Sequence, residues 1–153
     1  HAQKRFTSDD SGYYSTTVDE TRRDGKLISR TQKKINENGK TYEANQFKYK
    51  NGKAVTRMTV KYNDSGTLNH VTEKCYEEGY HVTSKKDWFY NTDGKAYKIE
   101  IDSDNDGILD VIGYYDENEK IERKYIDEDD DGTIDFIEYY DSEGNLERTE
   151  KQN

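Results

Sequence analysis

Asp102-Ser103-Asp104-Asn105-Asp106-Gly107-Ile108-Leu109-Asp110 and Asp127-Glu128-Asp129-Asp130-Asp131-Gly132-Thr133-Ile134-Asp135 both read D-x-D-x-D-G-x-x-D. The second run follows the first by 25 positions, and the flanks repeat with it: Tyr114-Tyr115-Asp116 against Tyr139-Tyr140-Asp141. Ile108 to Tyr115 and Thr133 to Tyr140 are rich in Ile, Val, Phe and Tyr, which favour strands. Asp-Gly between β-rich runs is a hairpin signal, because both residues tolerate positive φ. The stretch therefore reads as hairpins joined by acidic turns.

The same punctuation runs along the rest of the chain. Turn signals fall at Asp24-Gly25, Asn38-Gly39, Asn51-Gly52, Ser65-Gly66, Glu78-Gly79 and Asp93-Gly94, then at the two acidic runs, at Glu117-Asn118 and at Glu143-Gly144. These ten turns imply about eleven strands, over 13–23, 26–36, 40–50, 53–62, 67–76, 80–90, 95–102, 108–115, 120–127, 133–140 and 145–150. Period-2 alternation puts Met58, Val60 and Tyr62 on one face, and likewise Tyr97, Ile99 and Ile101, and Ile121, Arg123 and Tyr125. The expected fold is all-β: an antiparallel meander, extended or strongly twisted, with no helix. Residues 1–12 are expected to be a disordered leader. Residues 13–153 are expected to form a single hairpin-repeat domain, whose part at 95–150 holds both acidic runs.

Composition sets the scale of the core. Apolar residues make up 29% of the 153, charged residues 37%, and the mean hydropathy is −1.35. So little apolar material would suit a disordered chain. Regular turns, 14 Tyr and no Pro point instead to a thin sheet. No apolar run approaches the ~18–20 residues of a membrane-spanning helix. A single cysteine, Cys75, excludes an intrachain disulfide and reads as a half-buried strand residue. Charge is divided: residues 1–99 carry a net +6 and residues 100–153 a net −15, within the overall −9. The acidic half should repel itself strongly unless cations are present.

The spacing of the acids suits one cation class. Calcium takes 6–8 oxygens at roughly 2.3–2.6 Å with loose angular demands. Carboxylates at loop positions 1, 3 and 5 converge where Gly at position 6 permits a sharp turn. Position 7 offers a carbonyl and position 9 a side chain or a water. These roles fall to Asp102, Asp104, Asp106, the Ile108 carbonyl and Asp110 in the first loop. In the second they fall to Asp127, Asp129, Asp131, the Thr133 carbonyl and Asp135. Two calcium sites are expected.

These loops resemble the EF-hand-type calcium loop, as found in dockerin modules and thrombospondin type 3 repeats. The resemblance implies a bidentate acid at position 12, which is Glu138 in the second loop and Gly113 in the first. The β-rich flanks depart from a helix–loop–helix frame. A second phrase, Tyr followed by a short polar turn, recurs at Tyr62-Asn-Asp-Ser-Gly66, Tyr76-Glu-Glu-Gly79, Tyr90-Asn-Thr-Asp-Gly94, Tyr115-Asp-Glu-Asn118 and Tyr140-Asp-Ser-Glu-Gly144. It resembles the tyrosine–aspartate hairpin repeats of bacterial cell-surface proteins.

In a meander, alternate turns share an edge. The two acidic loops should then lie about two strand spacings apart, roughly 9–10 Å. Coupled filling is expected, with Asp130 or Glu128 helping the first site. Loops lacking a complete twelfth position should be weak sites suited to millimolar extracellular calcium. These features suggest a secreted or bacterial cell-surface module with a structural or adhesive role. An alternative is a protein-binding module, inhibitor or immunity type, that presents a Tyr-rich face to a protein or glycan. Enzymatic activity is not expected: no phosphate loop, CxxC, HExxH or GxSxG is present, and His70 and His81 read as ordinary strand histidines. Net charge −9 disfavours nucleic acid.

Overall fold

The computed structural model describes residues 3–9 and 12–152. Twelve strands follow one another in a single antiparallel sheet, each hydrogen-bonded to the next in the chain. They are β1 (Gln3–Asp9), β2 (Gly12–Arg23), β3 (Lys26–Ile35), β4 (Thr41–Lys50), β5 (Lys53–Tyr62) and β6 (Leu68–Glu77). They continue as β7 (His81–Tyr90), β8 (Ala96–Asp102), β9 (Val111–Tyr115), β10 (Ile121–Ile126), β11 (Phe136–Tyr140) and β12 (Leu146–Lys151). The expected all-β meander is the observed fold, and the sheet is open. Where a leader was expected, Gln3–Asp9 forms a strand that pairs with β2 from Gln3↔Val18 to Asp9↔Gly12.

Two kinds of turn explain the strand spacing. On one edge, Asp24-Gly25 and Asn51-Gly52 are two-residue connections and Glu78-Gly79-Tyr80 is a three-residue one; in each, the first two residues have positive φ. This is the hairpin geometry whose twist matches that of the strands. On the other edge, five-residue loops begin at Asn36, Asn63, Asn91, Asp116 and Asp141. In each, the N–H of the first residue donates to the carbonyl of the fifth, and the N–H of the fourth donates to the carbonyl of the first. The side-chain oxygen of the first residue also accepts the backbone N–H of the fifth at 2.8–3.0 Å. Asn and Asp head these loops because their short side chains can imitate a backbone acceptor. The heads lie 25 to 28 residues apart, so one hairpin-pair repeat spans most of the chain.

Among the described residues, strand contacts run only between neighbours in sequence, and neither face is covered by a second layer. Val71, at 8% exposure, is the one buried apolar side chain among the described residues. Stability in such a sheet rests on cross-strand pairs. One face carries a thin apolar row, Ala44, Val60, Val71, Trp88, Ile99 and Gly113, in continuous register. Beside it run Ile101, Val111, Ile126 and Phe136. Gly113 has a packing role: a Cβ there would sit 2.8 Å from Ile99 Cγ2 and 3.0 Å from Ile121 Cδ1. The opposite face pairs aromatics with cations. Arg57 lies over Phe47, Lys98 over Phe89, Arg123 over Tyr114 and Tyr125, and Arg148 over Tyr139.

Bulges correct two of the expected faces. The register shifts between Ile121 and Arg123, so Ile121 packs with Gly113 on the apolar face while Arg123 and Tyr125 lie on the other. A shift opposite Tyr90 likewise turns Tyr97 toward Phe89, at 6.5 Å between centroids, and away from the face of Ile99. Strands β9 and β11 begin at Val111 and Phe136, later than the expected 108 and 133, because the intervening residues belong to the acidic loops.

Candidate metal centre

The acidic loops join β8 to β9 and β10 to β11. They occupy the edge where the earlier hairpins carry their shortest turns. Where those turns have two adjacent residues of positive φ, each acidic loop has two separated by one residue: Asn105 (φ 62) and Gly107 (φ 101) in the first loop, Asp130 (φ 63) and Gly132 (φ 86) in the second. The additional residues bring in the acids.

In the first loop, carboxylate oxygens of Asp102, Asp104 and Asp106 all lie within 4.8 Å of one another. Asp102, at the end of β8, is only 6% exposed. Its Oδ2 accepts the Gly107 N–H at 3.1 Å, while its enclosed Oδ1 meets no donor. Asp106 Oδ1 accepts the Ile108 N–H at 2.7 Å, and Asp104 Oδ1 accepts the Asp106 N–H at 3.2 Å. Asp110 lies outside the triad and accepts the Ser103 N–H at 2.5 Å, closing the loop across its base.

The second loop gathers a different set. Asp127, Asp129 and Asp135 bring their oxygens within 4.8 Å of one another. Asp127 is 4% exposed and accepts three backbone N–H groups, from Asp130 (2.8 Å), Asp131 (3.3 Å) and Gly132 (2.7 Å). Asp135 also accepts the Glu128 N–H at 2.8 Å. Asp131, expected at position 5 of the coordination sphere, is instead engaged by the N–H and hydroxyl of Thr133. Those bonds hold its carboxyl below the usual range.

Glu138 requires a correction. β11 starts at Phe136, so residue 138 lies within the strand, opposite Lys124 and Thr149. Its carboxylate accepts the Tyr140 hydroxyl at 2.5 Å and lies 3.9 Å from Lys124 Nζ, apart from the Asp127 triad. A strand cannot fold position 12 back over the loop as a helix does.

The two loops meet at their inner ends. The β9–β10 ladder extends beyond Val111↔Ile126 by one more bond, from Asp127 N–H to the Asp110 carbonyl at 3.0 Å. Asp130 is the point of contact. Burial, then the negative charges of Asp106, Asp104 and Asp110, push its carboxyl up to about 6. Both triads could hold a metal ion. An all-oxygen, carboxylate-rich donor set suits a hard cation such as calcium or magnesium and not a soft one.

A polar cluster on the aromatic–cation face was not legible in the chain order. Asp87, 5% exposed, accepts from Thr72 Oγ1 at 2.6 Å, pairs with Lys85 at 2.6 Å and contacts His70 Nε2 at 2.8 Å. His70 also stacks on Phe89 at 4.8 Å. Burial alone would raise the Asp87 carboxyl, but the bonds from Lys85, Thr72 and His70 outweigh it and hold it low. The register pairs that assemble the cluster, His70↔Phe89 and Thr72↔Asp87, emerge only once β6 and β7 are aligned. Cys75 is half-buried in β6 and belongs to neither acidic triad.

No family model matches the chain, and no curated protein matches it. Among solved structures it is similar to a Bacteroides fragilis protein of unknown function, at 16% identity over 90% of this chain and 91% of that one, with a TM-score of 0.24. That score is too low for the likeness to bear on fold or function.

Proposed function

We propose that this chain is a calcium-binding β-hairpin repeat module of a secreted or cell-surface protein, with a structural or adhesive role and no enzymatic one. The observation that carries the reading is the pair of Asp triads, each with oxygens within 4.8 Å, and the Asp102 oxygen enclosed without a donor. Converging carboxylates repel one another unless a cation lies between them, and an enclosed acceptor without a partner costs about 1–3 kcal/mol. Calcium is favoured over magnesium because the loops offer loosely arranged oxygens and not a compact octahedron. Two ions would offset four of the charges in the −15 half of the chain. With so small an apolar core, cation binding to the folded state adds stability by mass action.

The alternative, a protein- or glycan-binding face, has less support. Tyr114, Tyr125 and Tyr139 of the aromatic face are covered by the chain's own cations, with Arg148 3.7 Å from the Tyr139 ring centre and Arg123 5.1 Å from that of Tyr114. That pairing accounts for them as structural residues. The test is equilibrium dialysis against calcium and magnesium separately. Two calcium ions per chain at millimolar free calcium, with magnesium failing to replace them, is the expected result. Absence of bound calcium at 10 mM would overturn the proposal.

A further inference from the structure

The tip of the second loop leans into the first. Asp130 commits its backbone N–H to Asp127 of its own loop, at 2.8 Å, while its side chain faces Asp106, Asp104 and Asp110 of the neighbouring loop. Its Oδ1 is enclosed and meets no donor. On the first loop's side, Asp102 is 6% exposed and its Oδ1 also lacks a donor. Two enclosed carboxylate oxygens, one from each loop, thus sit among further carboxylates with no N–H or O–H to satisfy them. Native interiors rarely leave such acceptors unpaired, and hard cations held in the loops would satisfy them.

Each loop gathers three acids, and neither is completed at its twelfth position: Gly113 stands there in the first, and Glu138 is held by Tyr140 in the second. In the first loop Asp110 lies outside the triad, which leaves the site open to an oxygen from elsewhere. The corresponding tip residue of the first loop, Asn105, lines a cleft with Lys85, Asp87 and Glu100 of β7 and β8 and with Asp102 and Asp106 of its own loop. The second loop thus carries an acid, Asp130, where the first carries a neutral amide.

We propose that Asp130 is a ligand of the cation held by the first loop, donated across the boundary between the loops, so that the two sites fill as a coupled pair. The inference rests on the calcium reading above and adds the direction of coupling: an ion in the second loop orders the tip that completes the first site. By linkage, each ion raises the affinity for the other by the same factor, for which couplings of about 5- to 150-fold are typical.

The experiment is a calcium titration of the full chain followed by amide NMR. The Gly107 and Gly132 N–H groups donate to Asp102 and Asp127 respectively, so each reports its own loop. Three variants are compared with the wild type: Asp130→Asn, Asp130→Gly and Asp129→Asn. Asn and Gly both tolerate the positive φ of residue 130. Both changes at 130 should weaken calcium binding at Gly107 at least five-fold, Gly more than Asn, and make the two transitions independent. Asp129→Asn, which damages the second site, should also weaken binding at Gly107. If wild type binds two ions and the Gly107 transition is unmoved in all three variants, the cross-loop ligand is refuted and the calcium reading stands. If wild type shows no calcium-dependent shift at either glycine, both fall.

Discussion

Asp102→Asn should change the sign of its effect on stability when calcium is added. The amide keeps an oxygen for the Gly107 N–H, which lies 3.1 Å from the carboxylate, and places a neutral NH2 among the carboxylates of Asp104 and Asp106. In chelator the variant should be at least as stable as wild type, because an enclosed charge with one unsatisfied oxygen has been removed. In calcium it should lose the first site. Weak extracellular-type sites have Kd near 10⁻⁴–10⁻³ M, so 10 mM calcium contributes about 1.4–2.7 kcal/mol per site by mass action. For a chain of this length each kcal/mol moves Tm by ~2–4 °C, so one site is worth roughly 3–11 °C. The assay is thermal unfolding by circular dichroism in calcium, magnesium and chelator. A wild-type Tm that is equal in calcium and chelator would refute the calcium dependence. A variant that keeps the full calcium increment would refute the role of Asp102.

Three further outcomes follow from the sheet. Gly113→Ala brings a methyl to 2.8 Å from Ile99 Cγ2, on a stiff β-branched side chain. Overpacking should outweigh the gain from replacing glycine in a strand and destabilise by about 1–2 kcal/mol in urea unfolding. A stability equal to or above wild type would show that the row relaxes freely. Asp87→Asn loses the Lys85 ion pair and should destabilise by about 1–3 kcal/mol at pH 7, a figure moderated by the exposure of Lys85. The Asp87 carboxyl is held low in the folded state, so its contribution is present above the ordinary Asp range near pH 4 and is lost as pH falls through the folded value. The wild-type advantage over Asp87→Asn should therefore shrink below about pH 4, and a constant difference down to pH 2 would contradict the assignment.

Much of this architecture is a local matter. Asp-Gly, Asn-Gly and Asx-headed turns set φ within a few residues, and period-2 runs between them favour strands, so from β2 onward element order and boundaries to within a few residues were legible, while β1 was not. A meander adds little beyond that, since every strand pairs with its neighbour in sequence. The D-x-D-x-D-G-x-x-D spacing likewise pointed to Asp102, Asp104 and Asp106 in one loop and to Asp127, Asp129 and Asp135 in the other, but it grouped Asp110 and Asp131 with them, and these lie outside the triads.

What only the tertiary structure decided depends on registers that chain order does not encode. A one-residue bulge reverses a face, which is why Ile121 and Tyr97 parted from the residues grouped with them. A strand in place of a helix after the second loop carries Glu138 away to Tyr140 and Lys124. The Asp87 cluster exists because β6 and β7 align His70 and Thr72 beside it. Contact between the two acidic loops follows from one extra ladder bond, Asp127 to Asp110, which brings Asp130 against the neighbouring carboxylates. The sequence by itself determined the hairpins and the acids in each loop, because turn chemistry is local. The tertiary structure decided which loop each acid serves, because that depends on alignment between strands.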